Sequence, residues 1–153
     1  AGRGFCTIEG TNRGETTFTL FFVLQHDTMV MDWAASMGIG EARLSTLAEN
    51  PTSNPLMMRV VITPSPYYLE DYPEAQFESY KITQPNDEAI VWGYVERNSP
   101  THLQINEALQ AGGSLLESLG QARVTIKMKR PPNSLVKNRF FITEMLHKDW
   151  VMP

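Results

Sequence analysis

In the nine residues from 122 to 130, "ARVTIKMKR", apolar and polar side chains alternate as far as Lys129. Successive side chains of a β-strand point to opposite faces of a sheet. The stretch therefore predicts a strand that turns Val124, Ile126 and Met128 toward a core. Its other face carries Arg123, Thr125, Lys127 and Lys129, so three cations form a row along one strand.

The segments on either side of this strand extend the pattern. After the turn-like "PPN" at 131–133, the run "RFFITEML" (139–146) predicts a final strand. Before it, the leucines between Thr101 and Leu119 are spaced as in a helix, which "SPTH" opens and Gly112 and Gly113 weaken in the middle. The second half of the chain thus ends in a helix followed by two strands.

The first half contains further strands and a helical region. Residues 5–9 and 16–26 are rich in β-branched and aromatic side chains around the turn "TNRG", which predicts a hairpin. Helix-forming residues at 29–37 and 41–49, interrupted by "GIG", predict one broken helix or two short ones. Strands are predicted at 56–63, 77–83 and 88–97, and the proline-rich residues 64–76 predict an exposed loop with aromatic anchors.

The order of these elements, β-β-α-β-β-β-α-β-β, restricts the fold. Strands joined by short turns indicate a mainly antiparallel sheet, and the helices interrupt the strands rather than alternate with them. We therefore expect one α+β domain over 1–153, with a mainly antiparallel sheet or partly closed barrel and two or three helices. Residues 56–147 follow the element order of an OB-fold barrel, which many unrelated sheets share.

Composition excludes several classes of protein. Apolar and charged fractions of 42% and 20% are typical of globular domains, not of disordered or fibrous chains. The single cysteine, Cys6, forbids an internal disulfide and is compatible with a reducing compartment such as the cytoplasm, although the sequence leaves the localisation unknown. The longest apolar run, Phe18–Leu24, is too short to cross a bilayer, and no signal peptide is expected.

Charge is divided between two segments within a chain of net charge −4. Residues 65–96 carry seven carboxylates against Lys81 alone, whereas residues 120–141 carry six cations and no carboxylate. These six are Arg123, Lys127, Lys129, Arg130, Lys137 and Arg139. The acidic and basic segments nearly cancel in charge.

Three interpretations of the basic segment remain open. It can be the solvated face of a sheet, neutralised by the acidic segment. It can track the phosphates of single-stranded nucleic acid, with neighbouring aromatics stacking on bases. It can also meet the acidic segment of another copy, which predicts self-association that salt weakens.

Aromatic residues supply the other candidate binding positions. Trp33, Trp92 and Phe22 have apolar neighbours and are expected in the core. Tyr67, Tyr68 and Tyr72 lie in the proline-rich acidic loop, where they either pack on the sheet or contact a partner. Trp150 is a candidate anchor for a partner unless it docks back on the body of the protein.

Catalytic and metal-binding motifs are not found in the sequence. "GIGEAR" lacks the spacing and the lysine of a phosphate-binding loop, and no HExxH, GxSxG or paired-cysteine spacing occurs. His26, Asp27 and Asp32 are the sole candidate metal or acid–base group; the ordinary alternative is that His26 ends a strand and Asp27 caps a helix. Cys6 is expected to be buried and inert.

Taken together, the sequence favours a non-catalytic binding or assembly subunit, acting through charged and aromatic surfaces and associating with itself or with another protein. The alternative is an OB-like protein that binds single-stranded nucleic acid, and the third is a small enzyme without a recognisable motif. No cofactor or metal is predicted, and no membrane partner. The predicted binding residues are Arg123, Lys127, Lys129, Arg130, Lys137, Arg139, Tyr67, Tyr68, Tyr72 and Trp150.

Overall fold

The structure is a computed structural model that describes residues 4–111, 120–131 and 136–151. Its strands are β1 Phe5–Thr11, β2 Thr17–Gln25, β3 Thr28–Asp32, β4 Leu56–Pro64, β5 Phe77–Gln84, β6 Asp87–Glu96, β7 Ala122–Lys129 and β8 Arg139–Lys148. The helices are α1 Trp33–Ser36, α2 Leu44–Glu49 and α3 Pro100–Gln110. None of the described helices is both long and apolar enough to cross a membrane.

The N-terminal strands β1, β2 and β3 form an antiparallel three-stranded sheet in sequence order. The predicted hairpin of the first two strands is confirmed. Asn12 closes it, because its side-chain oxygen accepts hydrogen bonds from the backbone of Gly14 and Thr16. His26 and Asp27 alone connect β2 to β3, with φ values of 47° and 60°, which a tight two-residue hairpin turn requires.

The helix predicted over 29–37 is wrong for its first half. Residues 28–32 form β3, because the turn at His26 and Asp27 folds them back onto β2 and pairs Met29 with Leu24. The helix α1 begins only after Asp32, whose carboxylate accepts a hydrogen bond from Ala35 N at 2.9 Å. The cap predicted for Asp27 is therefore supplied by Asp32.

The strands β4 to β8 close into a barrel with the order β4-β5-β6-β8-β7. β7 closes it by pairing antiparallel with both β4 and β8, while β6 and β8 run parallel. The helix α3 lies between the third and fourth barrel strands. This is the topology of an OB-fold barrel, so the α+β class and the barrel are confirmed.

The core fills the barrel and extends under α2 and α3. Strand β7 contributes Val124, Ile126 and Met128, as its alternating sequence predicted. Gly93 allows the opposing strands to approach at this level, because a Cβ there would lie 2.5 Å from Ile82 Cδ1. The remaining buried members are Leu44, Leu47, Met58, Val60, Ile62, Tyr80, Ile82, Val91, Val95, Ile105, Ala108, Ala122, Phe140 and Ile142.

The helix α3 accounts for part of the helix predicted over 101–119. Ser99 caps it by accepting a hydrogen bond from His102 N, and Pro100 occupies the first turn, where no backbone donor is needed. Residues 112–119, which include the two glycines expected to weaken the helix, lie outside the described residues. The same holds for most of the predicted turn at 131–133.

A smaller cluster joins the N-terminal sheet to the barrel. Phe21 from β2 packs with Ala35, Trp150 and Val151, all of them buried. Trp150 also donates from its indole nitrogen to the carbonyl of Val60 at 3.1 Å. Trp150 therefore docks back on the protein, which is the alternative that the sequence left open to its use as an anchor for a partner.

Two further burial predictions are overturned. Trp33 is 60% exposed, because it occupies the first turn of a four-residue helix that covers little surface. Cys6 is exposed, because β1 is an edge strand and the thiol lies on the face of the sheet that points away from the barrel. Neither residue belongs to the core.

Candidate functional site

Aromatic and cationic side chains gather on the outer face of the barrel, where β5, β6 and β8 lie side by side. Cross-strand pairing aligns Lys81 of β5 with Trp92 of β6, and Trp92 with Arg139 of β8. Their inward-facing chain neighbours Ile82, Val91 and Phe140 are buried. Because strand side chains alternate, the three aligned residues face outward together, with the indole between two cations.

The segment between β4 and β5 adds a ring to this face. Tyr67 lies over Trp92, with ring centroids 4.8 Å apart and an interplanar angle of 41°. The guanidinium carbon of Arg139 is 5.5 Å from the Tyr67 centroid, and its Nη2 donates to the tyrosine hydroxyl at 3.3 Å. Tyr67 itself is 37% exposed. We call Tyr67, Lys81, Trp92 and Arg139 the aromatic–cationic face.

A second layer of rings supports this face. Tyr72 stacks on Tyr94 with a centroid separation of 4.3 Å, and Phe77 packs edge-on against Tyr72 at 5.0 Å. Phe141 of β8 lies 6.4 Å from Phe77. Aromatic pairs in these geometries add stability beyond the area that they bury. The segment between β4 and β5, which carries Tyr67, Tyr68 and Tyr72, therefore packs against its own sheet.

Hydrogen bonds hold the β4–β5 segment at both ends. The Tyr94 hydroxyl donates to the carbonyl oxygen of Tyr67 at 2.8 Å. Burial raises the pKa of Tyr94 to about 12, so the hydroxyl keeps its proton at neutral pH. Further along, Arg97 pairs with Glu78 at 2.5 Å and donates to the carbonyl of Glu74 at 2.6 Å. The exposed ring of Tyr67 is thus positioned before any ligand arrives.

The ion pair of Arg97 and Glu78 also determines the role of Tyr68. The Tyr68 hydroxyl donates to Glu78 at 3.2 Å and accepts from Arg97 at 3.2 Å. Burial, followed by the charge of Glu78, raises the pKa of Tyr68. Tyr68 is therefore engaged within the protein and is not part of the aromatic–cationic face.

Two hydrogen-bond donors of the face lack a partner. Trp92 Nε1 and Arg139 Nε are buried and find no acceptor among the described residues. Burying an unsatisfied polar group costs free energy unless a ligand or solvent supplies the missing bond. Both atoms belong to the same cluster of side chains, so the cluster has donor capacity for an acceptor that the described part of the chain does not provide.

The basic segment is divided by the fold. Arg123 is buried, with a side chain 6% exposed, and pairs with Glu9 at 2.8 Å and Asp149 at 3.3 Å. Its predicted place in an exposed row is wrong, because the N-terminal sheet covers this end of β7. Lys127 is half-exposed and pairs with Glu144 at 3.1 Å.

The remaining members of the basic segment lie at the end of β7 and around the start of β8. Lys129 is aligned with Phe141 across the β7–β8 pair, on the outside of the barrel. Lys137 is exposed just before β8, and Arg139 is part of the face. Arg130 donates its backbone N–H to the carbonyl of Thr52. The fold thus joins the end of the basic segment to Tyr67, a neighbour that the sequence does not show.

The metal and acid–base candidates do not assemble. His26 and Asp27 form the β2–β3 turn, while Asp32 is used as a helix cap. No group of three or more metal-binding side chains occurs within residues 4–111, 120–131 and 136–151. The three residues therefore have local structural roles.

A cleft of about 550 Å³ lies between the N-terminal sheet and the barrel. Thr17 and Thr19 line one side and Gln84 the other, with Arg123 and Trp150 between them. Because Arg123 is already paired with two carboxylates, the cleft offers a ligand little uncompensated charge. We assign no ligand to it.

Sequence reasoning missed two residues of the site. It placed Trp92 in the core because its neighbours are apolar, and it gave Lys81 no role. The alternation of strand side chains puts Trp92 opposite Val91 and Gly93 and was the available signal. Its alignment with Arg139 depends on a parallel pairing between distant strands.

Comparison with protein-family models, with curated proteins and with solved structures finds no match to this chain.

Proposed function

We propose that this protein binds single-stranded nucleic acid on its aromatic–cationic face. One observation carries the proposal: Tyr67, Trp92 and Arg139 form one cluster on the outer face of an OB-type barrel. Trp92 lies on the third barrel strand beside Lys81 of the second, Arg139 begins the fifth, and Tyr67 lies on the segment that joins the first two. OB-folds bind oligonucleotides on that face and with that loop.

The chemistry of the face suits bases and phosphates together. The exposed ring of Tyr67 offers a stacking surface, and such stacking contributes about 1–3 kcal/mol per base whatever the base. Lys81 and Arg139 flank the indole of Trp92, and Lys137 is exposed before β8. Cations beside aromatic rings are the usual means of holding a single strand without reading its sequence.

Surrounding carboxylates limit the affinity. Glu70, Asp71 and Glu74 are exposed on the β4–β5 segment, whereas Glu78 is neutralised by Arg97. Three cations that each neutralise one phosphate give a slope of about −2 for log K against log salt. We therefore expect modest affinity at low salt that is lost toward high salt.

Fluorescence anisotropy with labelled single-stranded DNA and RNA tests the proposal. Tyr67→Ala should weaken binding about 5- to 150-fold, since it removes one stacking surface. Trp33→Ala is the matched control, because it removes an exposed aromatic from the N-terminal part of the chain. Arg139→Gln should flatten the salt slope by about 0.7, whereas Lys127→Gln should leave it unchanged.

Two results would end the proposal. One is the absence of binding at tens of micromolar protein and low salt. The other is equal loss of binding in Tyr67→Ala and Trp33→Ala, with circular dichroism showing both variants folded.

The sequence favoured self-association through opposite charges. The structure leaves fewer cations of the basic segment available for that contact than the sequence indicated. Arg123 is used in buried pairs, and Lys127 is paired with Glu144. That hypothesis now rests on Lys129, Lys137 and the acidic loop. Measuring the solution mass at low and high salt tests it, because such association must weaken as salt rises.

A further inference from the structure

The two faces of the N-terminal sheet differ in their surroundings. One face meets the barrel: Phe21 is buried against Trp150, while Glu9 and Thr19 bond Arg123. Strand pairing places Cys6 with Phe22, and Phe22 with Met31. Because side chains alternate along each strand, these residues and their alternate neighbours point away from the barrel.

The outward face is apolar throughout. Within β1, β2 and β3, all of which the structure describes, no charged side chain lies on it. Ile8, Phe18, Leu24 and Met29 are each 42% to 51% exposed. The full set is Cys6, Ile8, Gly10, Phe18, Leu20, Phe22, Leu24, Met29 and Met31, and we call it the outer sheet face.

The outer sheet face is a continuous surface rather than scattered side chains. Cross-strand neighbours such as Ile8 and Leu20, or Leu24 and Met29, lie directly opposite each other. The ring of Phe18 covers Gly10, since a Cβ added there would lie 2.7 Å from the ring. The exposed side chains present roughly 500 Å² of apolar surface, within the range of the largest apolar patch on a soluble monomer, which is often functional.

We propose that the outer sheet face docks against the same face of a second copy of this chain. Two such faces bury about 1,000 Å², the area at which specific interfaces begin. A chain of net charge −4 repels its own copies, and contact is least opposed where no charge is present. A symmetric dimer needs a self-complementary surface, which an uncharged apolar face provides.

The geometry favours packing face to face over pairing along an edge. Sheets that pack by their faces interdigitate side chains at a separation of about 10 Å, which covers the apolar residues of both copies. Edge pairing through β1 would satisfy backbone groups but would leave Ile8, Phe18 and Leu24 in water. The expected dimer is therefore a two-layer sandwich of N-terminal sheets.

Sedimentation equilibrium with one matched pair of variants tests this dimer. Leu24→Lys places an ammonium group on the outer sheet face of each copy and should weaken dimerisation about 100-fold or more. Gln25→Lys adds the same charge at the next residue, which is exposed on the opposite face, and should leave a dimer. The wild-type dimer should persist at high salt, because apolar burial drives it.

The thiol of Cys6 provides an independent measurement, since it lies on the outer sheet face. Its alkylation by a neutral reagent should slow as wild-type protein is concentrated, and should not slow in Leu24→Lys. A protein that stays monomeric at near-millimolar concentration overturns the proposal. A dimer that Leu24→Lys leaves intact, or that salt disperses, overturns it as well.

Discussion

Replacing Arg123 with alanine should cost far more stability than replacing Lys127, although the two belong to one strand and one cationic stretch of sequence. The Arg123 side chain is 6% exposed, with Nη2 2.8 Å from Glu9 and Nε 3.3 Å from Asp149. Its guanidinium carbon also lies 5.4 Å from the Phe21 ring centroid. The alanine variant leaves a carboxylate beneath the N-terminal sheet without its partner.

The expected size of the loss follows from burial. Removing one member of a buried ion pair costs about 3–5 kcal/mol, because the other charge remains desolvated. The pair of Lys127 and Glu144 is half-exposed and contributes about 0–1 kcal/mol. Burial raises the pKa of Asp149 despite the nearby Arg123. Asp149→Asn should therefore restore part of the stability that Arg123→Ala loses.

Urea unfolding followed by tryptophan fluorescence measures this difference, since Trp150 packs beside the cluster. With a slope of about 1–3 kcal/mol per molar urea, the midpoint for Arg123→Ala should fall by roughly 1–5 M. Lys127→Ala should move it little. If the two variants differ by less than about 1 kcal/mol, or if adding Asp149→Asn lowers stability further, the account of Arg123 is wrong.

Three further expectations concern single residues. Ser45, in the first turn of α2, donates hydrogen bonds to the carboxylate of Asp87. Burial opposes ionisation of Asp87, but the hydrogen bonds lower its pKa. Asp87→Asn should therefore cost about 1 kcal/mol of stability above pH 5. That difference should vanish in urea titrations as pH falls below the ordinary aspartate value of 3.8, where the wild-type contribution is lost. Gly93→Ala should destabilise the barrel by about 1–3 kcal/mol in thermal unfolding through overpacking; an unchanged melting temperature would contradict the tight contact. Cys6→Ser should be nearly neutral and Cys6 rapidly labelled in dilute native protein; slow labelling would mean that the thiol is covered.

Local patterns predicted much of the fold. Alternation along 122–130 gave the inward face of β7, and turn residues gave the first hairpin. Local sequence patterns gave wrong predictions where contacts between residues far apart in the chain determine the structure. Residues 28–32 contain helix formers, yet a tight turn pairs them with β2. Arg123 looks identical to Lys127 in the alternation, and only the position of the N-terminal sheet makes one buried and the other exposed.

The candidate site was predicted only in part. The β4–β5 segment with its tyrosines and the basic segment were each recognised, as separate surfaces. Their meeting at Tyr67 and Arg139 depends on the parallel pairing of β6 with β8, which α3 and β7 separate in the chain. No local sequence pattern predicts the pairing of β6 with β8. The sequence analysis therefore placed Trp92 in the core and gave Lys81 no role.

Closure of the barrel through β4 and β7 also bears on how quickly the protein folds. Each residue pair that joins these strands is sixty or more residues apart along the chain, whereas Gln25 and Thr28 meet across a two-residue turn. Non-local pairings slow folding, because the entropy of loop closure is lost before the contacts form. The N-terminal hairpins should form within microseconds, yet Phe21 can pack on Trp150 and Val151 only when the segment after β8 is in place. Substitutions in the β4–β7 ladder should therefore slow refolding, while those in the first hairpin should mainly hasten unfolding.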